Sequence, residues 1–204
     1  SDEPSFTLRQ ALRTTALWAI FAAWFFNAVG IGAVIVHQVP HLIDVGVAPM
    51  AAAAAMGLLT TLSIPGRFLW GVAGDRWNIR NMVFFCFLVQ ALSMAIFANV
   101  RSLEMAYVFI VLYAFSYSGP IPLRSALVAK FYGKESFGVI YGVVATVLMF
   151  GSGLGPIFAG FAYDITGGYS GAFYILSGGV IISAVAILFA RQPEPPQVEA
   201  AAVS

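Results

Sequence analysis

The sequence predicts an all-α membrane protein of six transmembrane helices, arranged as two inverted repeats of three. Three observations carry that prediction. The chain of 204 residues is 60% hydrophobic and 9% charged, with a mean hydropathy of +0.89, a composition outside the range of soluble domains. Its apolar residues fall in six continuous runs, each long enough to cross a hydrocarbon core of about 30 Å, which takes roughly 20 helical residues. The runs do not alternate polar and apolar side chains, so the strands of a membrane barrel, about ten alternating residues each, are not the reading. Lastly, the basic residues gather on alternate connections.

Residues 1–15, SDEPSFTLRQALRTT, form a polar, amphipathic leader that reads as a cytoplasmic or inter-domain linker. The apolar run behind it is too long for a signal peptide. The chain opens on Ser, which is compatible with processing or with a piece of a longer protein. The bundle is assigned to residues 16–190, with spans from Ala16 to His37, Ala51 to Ala73, Asn81 to Asn99, Leu103 to Val128, Val139 to Tyr163 and Gly171 to Ala190. Residues 191–204, RQPEPPQVEAAAVS, are Pro-rich and polar and are expected to form a disordered cytoplasmic tail. The single cysteine, Cys86, lies inside the third span, where it reads as a small core residue and excludes an intramolecular disulfide.

Orientation follows from where the cations lie. Arg9 and Arg13 precede the first span, Arg76 and Arg80 follow the second, Arg124, Lys130 and Lys134 cluster at the end of the fourth, and Arg191 follows the sixth. The opposite loops hold only Arg101. The positive-inside rule therefore places both termini in the cytoplasm of a plasma or bacterial inner membrane. A net charge of +1 gives no reason to expect a nucleic-acid partner.

The repeat is visible at two span ends. GVAGDRWN, from Gly71 to Asn78, and GFAYDITG, from Gly160 to Gly167, both read G-x-A-x-D-x-x-[N/G]. Asn and Gly tolerate the left-handed conformation that stops a helix. An odd number of spans separates the copies, so they lie at opposite membrane faces, as an inverted repeat requires.

Arg67 is the charge that stands deepest in any apolar run. It lies eight residues before Asp75, about 12 Å along a helix at 1.5 Å per residue, near mid-bilayer if Asp75 marks the interface. An arginine there costs on the order of 2.5 to 3.5 kcal/mol, so it is expected to face a cavity or a partner. Its planar donor fork matches a carboxylate, and the Asp and Glu residues fall in loops or tails by this assignment, save Glu104 at the very start of the fourth span. A substrate anion is the favoured partner; snorkelling, or bonding to carbonyls freed by a nearby kink, is the alternative. That kink is expected at Pro65-Gly66.

Other polar groups join the candidate list. Asn27 sits mid-way along the first span, either facing the cavity or bonding a neighbouring helix. In the fourth span Gly119, Pro120 and Pro122 interrupt the helix, while Ser116, Tyr117 and Ser118 offer hydroxyls to a substrate or to their own backbone. Arg124 reads as a snorkelling anchor. His37, His41 and Asp44 share a helical spacing, but Pro40 argues against an unbroken helix, and Gln38 stands where a zinc-protease signature needs Glu. No metal and no cofactor is expected. His37 is either a proton site at the outer interface or a bland interfacial residue. The fifth-span glycines Gly138, Gly142, Gly151, Gly153, Gly155 and Gly160 permit close backbone approach, as static packing or as a sliding contact.

The segment GRFLWGVAGDRWNIRN resembles the loop signature of the major facilitator superfamily through Gly71, Asp75, Arg76 and Arg80, with Asn78 in place of the usual Gly. HQVPHLIDVGVAPMAAAAAMG, the Arg67 stretch and GSGLGPIFAGFAYDITGGY together resemble, more narrowly, the C-terminal half of its monocarboxylate and oxalate/formate porters. That resemblance implies two halves of six helices each, of which this chain would be the second. Its partners would be the N-terminal half, the bilayer and a small organic anion, with a proton as candidate co-ion. It implies a cytoplasmic latch at Gly71, Asp75, Arg76 and Arg80. Related porters also carry an arginine at the position of Arg67, and the monocarboxylate members pair it with an acid one turn earlier, where this chain has Ser63.

The expected function is secondary transport of a small organic anion by alternating access, without covalent catalysis. A drug or sugar porter is the nearest alternative, and a non-transporting receptor or assembly subunit the next. An intramembrane enzyme would need a nucleophile and base, or a metal cluster, within the spans.

Overall fold

The computed structural model describes residues 6–194. They are all-α, in eight segments: α1 (Leu8–Ala11), α2 (Thr15–Asp44), α3 (Pro49–Gly74), α4 (Ile79–Ala98), α5 (Leu103–Ser118), α6 (Pro120–Tyr132), α7 (Phe137–Thr166) and α8 (Ser170–Phe189). With α5 and α6 taken together as one span, six segments are long and apolar enough to cross a membrane.

Packing follows the three-helix repeat. The first span, α2, packs chiefly on the fifth and sixth, α7 and α8; the fourth, α5 with α6, packs on the second and third, α3 and α4; and α4 packs on α8. Each unit therefore buries its leading helix against the other unit's second and third.

The tightest seam is α2 against α7. A Cβ at Gly155 would run into the Val29 carbonyl oxygen and lie 2.8 Å from the Ala33 nitrogen, and one at Gly32 would run into the Ser152 carbonyl. Pro156 has no N–H to offer Ser152, four residues earlier, so the glycine backbone of α2 lies against a carbonyl that has lost its helix partner. The glycine stripe thus divides. Gly151 and Gly155 are buried in this seam, a Cβ at Gly160 would lie 3.8 Å from the His37 ring, and Gly138, Gly142 and Gly153 face open space.

Two sequence expectations about helix ends are corrected. Pro40 does not interrupt the first span, because α2 continues through it to Asp44; His41, buried and 3.0 Å from the Phe97 carbonyl, holds this last turn against α4. Asn78 does not adopt a left-handed stop. At φ −68° and ψ 110° it is the N-cap of α4, its side chain accepting from the Arg80 and Asn81 amides, a role the short Asn side chain fills well. Gly167, its counterpart in the repeat, does take the left-handed conformation at φ 71°.

The leader is not loose over its described part. Phe6 is buried with its ring edge-on to Tyr132, Thr7 and Gln10 form a capping box for α1, and the Thr14 and Tyr132 hydroxyls are 2.9 Å apart. Of the expected disordered tail, residues 195–204 lie outside the described residues.

A polar relay pins the centre. Asn27 donates to the Gln90 carbonyl oxygen at 2.8 Å, and the Gln90 amide donates to the Tyr113 hydroxyl at 3.2 Å, all of it buried. Asn27→Leu should cost about 1–3 kcal/mol, mostly because the Gln90 oxygen is left without a donor; an interhelical bond alone averages nearer ~0.6 kcal/mol. Thermal unfolding in detergent checks this. Asn27→Leu combined with Gln90→Leu should unfold at a higher temperature than the sum of the single changes implies.

Candidate functional site

The second span is sided. Ala52, Ala55, Leu59, Ser63, Gly66 and Trp70 are buried along one stripe, spaced three or four residues apart, as one face of a helix requires. Arg67 stands off that stripe and is exposed, beside exposed Ile64 and Phe68. Among the described residues it has no hydrogen-bond or ion-pair partner. Helices α3 and α7 are the least covered of the six spans. A guanidinium on an open apolar face is expected to face a cavity or a further protein element, or to snorkel to the interface.

Behind the arginine the helix is locked to the weak point of the fourth span. The span breaks at Gly119, where α5 gives way to α6 at Pro120. Gly66 lies so close to the Ser118 hydroxyl that a Cβ there would collide with it. Trp70 donates its indole N–H to the Phe115 carbonyl at 2.9 Å, and Ser118 donates to the same oxygen at 2.7 Å. The Trp70 ring also lies against the Phe115 ring and beside Gly119. The arginine helix and the broken helix therefore meet at one carbonyl. Sequence reasoning missed Trp70. The available signal was an indole three residues from Arg67 in a membrane span, whose N–H must find a partner once buried.

Trp70→Phe keeps the ring and removes that donor. A bond of about 1 kcal/mol corresponds to roughly a fivefold effect. We expect the maximal transport rate to fall about that much with the half-saturation concentration nearly unchanged, read from initial uptake rates in proteoliposomes.

The remaining candidates separate. Asn27 is buried and committed to Gln90, which in turn donates to Tyr113; this is the interhelical reading of that residue. Ser116 is fully buried and donates to the Tyr113 carbonyl. Tyr117 is half-buried, stacked on Tyr113 at 5.9 Å. Ser63 is buried and donates to the Thr60 carbonyl at 2.7 Å, so its hydroxyl is turned to backbone. Arg124 is held by Tyr141 of α7, donating to the hydroxyl at 3.2 and 2.7 Å with its guanidinium 5.0 Å from the ring centre; it ties α6 to α7. Of the residues expected to form a latch, Asp75, Arg76 and an uncrowded Gly71 lie at the end of α3, whereas Arg80 is half-buried and lines a different cavity, together with Lys130 and Arg191.

His37 is half-buried, with Nε2 3.0 Å from the Pro156 carbonyl and its ring 5.0 Å from that of Tyr169. A carbonyl can only accept, so Nε2 carries hydrogen and Nδ1, buried and unpartnered among the described residues, is left as the free nitrogen. Asp44, nearby, accepts from the Tyr163 hydroxyl at 3.3 Å.

A family profile for the Major Facilitator Superfamily matches residues 15–203. The chain belongs to that superfamily. Within it, the chain is similar to monocarboxylate transporter 12 of Homo sapiens, 26% identical over 93% of this chain and 37% of the relative, and to monocarboxylate transporter 12-B of Danio rerio, 29% identical over 76% of this chain and 33% of the relative. It is also similar to the oxalate:formate antiporter of Oxalobacter formigenes, 23% identical over 77% of this chain and 39% of that protein. The chain thus spans little more than a third of the length of these relatives. Six apolar spans and membership of that superfamily make it an integral membrane protein.

Proposed function

We propose that this chain is the C-terminal half of a secondary transporter that moves a small organic anion, such as a monocarboxylate, by alternating access, with Arg67 holding the carboxylate. The observation that carries this reading is Arg67 itself, exposed on the open face of α3 and unpartnered among the described residues. An arginine at membrane depth is costly without a partner, and the relatives named for monocarboxylates, oxalate and formate suggest the chemical class. The least covered spans, α3 and α7, are where an N-terminal half would seat. Tyr117, at the rim of the fourth-span break, is the second substrate contact in this reading. The Gly66–Ser118 and Trp70–Phe115 contacts give the hinge.

Asp75 and Arg76 serve as the latch, on the cytoplasmic side together with both termini, a placement that the distribution of cations supports. Without an acid at position 63, a coupled proton has no partner beside Arg67, and His37 is the remaining proton site.

The test is uptake into proteoliposomes of labelled mono- and dicarboxylates by the full-length protein, with the matching amides and alcohols as competitors. Carboxylates should inhibit and their amides should not. Equal inhibition by amides and acids, or uptake of sugars or cationic drugs alone, would refute the anion reading.

A further inference from the structure

Three cations converge where α4 begins and where α6 and α8 end. Arg80, Lys130 and Arg191 line one cavity of about 160 Å³, with Asn78 and Gln192 beside them and Leu127 among the apolar residues of its wall. Among the described residues, no Asp or Glu lines it. None of the three cations has an ion-pair partner among the described residues, and the Nε of Arg80 is buried with no hydrogen bond. Exposed lysines and arginines at a membrane face are commonplace, each solvated on its own. Here one guanidinium has been partly withdrawn from water beside two like charges, an arrangement that repels itself until an anion enters.

The backbone does not supply the missing partner. The Asn78 side chain already accepts from the Arg80 and Asn81 amides at 3.0 and 3.4 Å, so the first turn of α4 presents those donors to its own cap. What remains free is the side-chain trio, two planar forks and one ammonium, a set suited to a tetrahedral oxyanion. Its position narrows the source. All three residues stand at helix ends, at the level of lipid headgroups, on the face shared by the chain's described ends. Leu127, Phe131 and Ala190, buried in the bundle, form the apolar part of its wall.

We infer that this cavity binds the phosphate of an anionic phospholipid headgroup, with the ends of the third, fourth and sixth spans gathered around it. The lipid's charge replaces the absent acidic side chain, and its glycerol and first methylenes lie along the apolar wall. Juxtamembrane cations draw anionic lipid by general electrostatics; the buried, unpaired Nε of Arg80 makes this one a defined site.

The experiment is native mass spectrometry of the full-length protein in detergent, titrated with phosphatidylglycerol or phosphatidylcholine. Lys130→Gln/Arg191→Gln is compared with the charge-matched pair Arg9→Gln/Arg13→Gln, which removes two exposed cations elsewhere at the same face. The cavity pair should lose retained phosphatidylglycerol by at least about tenfold, as two charge-assisted contacts imply, and the control pair by less than about twofold. Equal losses in the two pairs, or equal retention of phosphatidylcholine, would overturn the site. Displacement of the lipid by inorganic phosphate at matched concentration would assign the cavity to soluble phosphate and overturn the lipid as its ligand. If the cavity pair does not fold, Arg191→Gln alone carries the test, and unchanged phosphatidylglycerol retention then refutes the proposal.

Discussion

A valine at position 155 should prevent the first and fifth spans from closing. The Cβ would meet the Val29 carbonyl oxygen and, at 2.8 Å, the Ala33 nitrogen. Both are backbone atoms, so no side-chain rotation relieves the contact and α7 must move off α2 as a body. Overpacking a core commonly costs about 1–3 kcal/mol when side chains can adjust, and this seam lacks that freedom. We expect Gly155→Val to lower the melting temperature in detergent sharply or to yield no monodisperse protein. Gly153, two residues away with open space where its Cβ would lie, is the matched control. Measured on this chain alone, Gly153→Val should melt close to the parent, since the helix loses a glycine and the side chain meets no neighbour among the described residues. Similar melting of the two variants would show that the seam is not closed as described.

The contrast between these two glycines marks where the sequence stops being legible. Glycines at this spacing announce close packing, but the same stripe reads equally as an internal seam or as a surface for another bundle. Only the rotation of α7 about its axis separates Gly151 and Gly155, against α2, from Gly138, Gly142 and Gly153, in the open. Span number and the break at Gly119–Pro120 are legible because they rest on length and on a missing donor, both local properties. Pro40 shows the limit of that logic. A proline near a helix end forfeits one bond, which the His41 contact to Phe97 outweighs.

The site was legible in its charge and illegible in its wiring. Arg67 stands out by cost alone. Asn27 was equally visible as a buried amide, but its partner Gln90 lies 63 positions away, and no local pattern links them. Trp70 passed unmarked because an indole in a membrane span reads as core. Its importance lies in a bond to a carbonyl 45 positions later. Arg80 was grouped with Arg76 through a loop signature, and the turn between α3 and α4 sends them to different cavities.

Arg67→Gln should abolish most carboxylate uptake while leaving the protein at least as stable as before. The two halves of that expectation come from separate terms. A hydrogen bond to a charged group contributes about 1.5–3 kcal/mol, and truncating one partner of a desolvated ion pair costs about 2–5 kcal/mol, so uptake efficiency should fall by at least about tenfold and plausibly several hundredfold. Stability should move the other way, because a guanidinium at mid-span is itself unfavourable by about 2.5–3.5 kcal/mol and glutamine removes that burden. Arg67→Lys keeps the charge without the planar fork, and should retain a measurable fraction of uptake with weaker discrimination among carboxylates. Had the arginine served instead to satisfy carbonyls near Pro65, glutamine would lower the melting temperature and uptake together. Uptake and melting temperature measured on the same preparations therefore decide between ligand and strut. A fall in uptake with no fall in stability supports the carboxylate clamp, and parallel losses assign Arg67 to the scaffold.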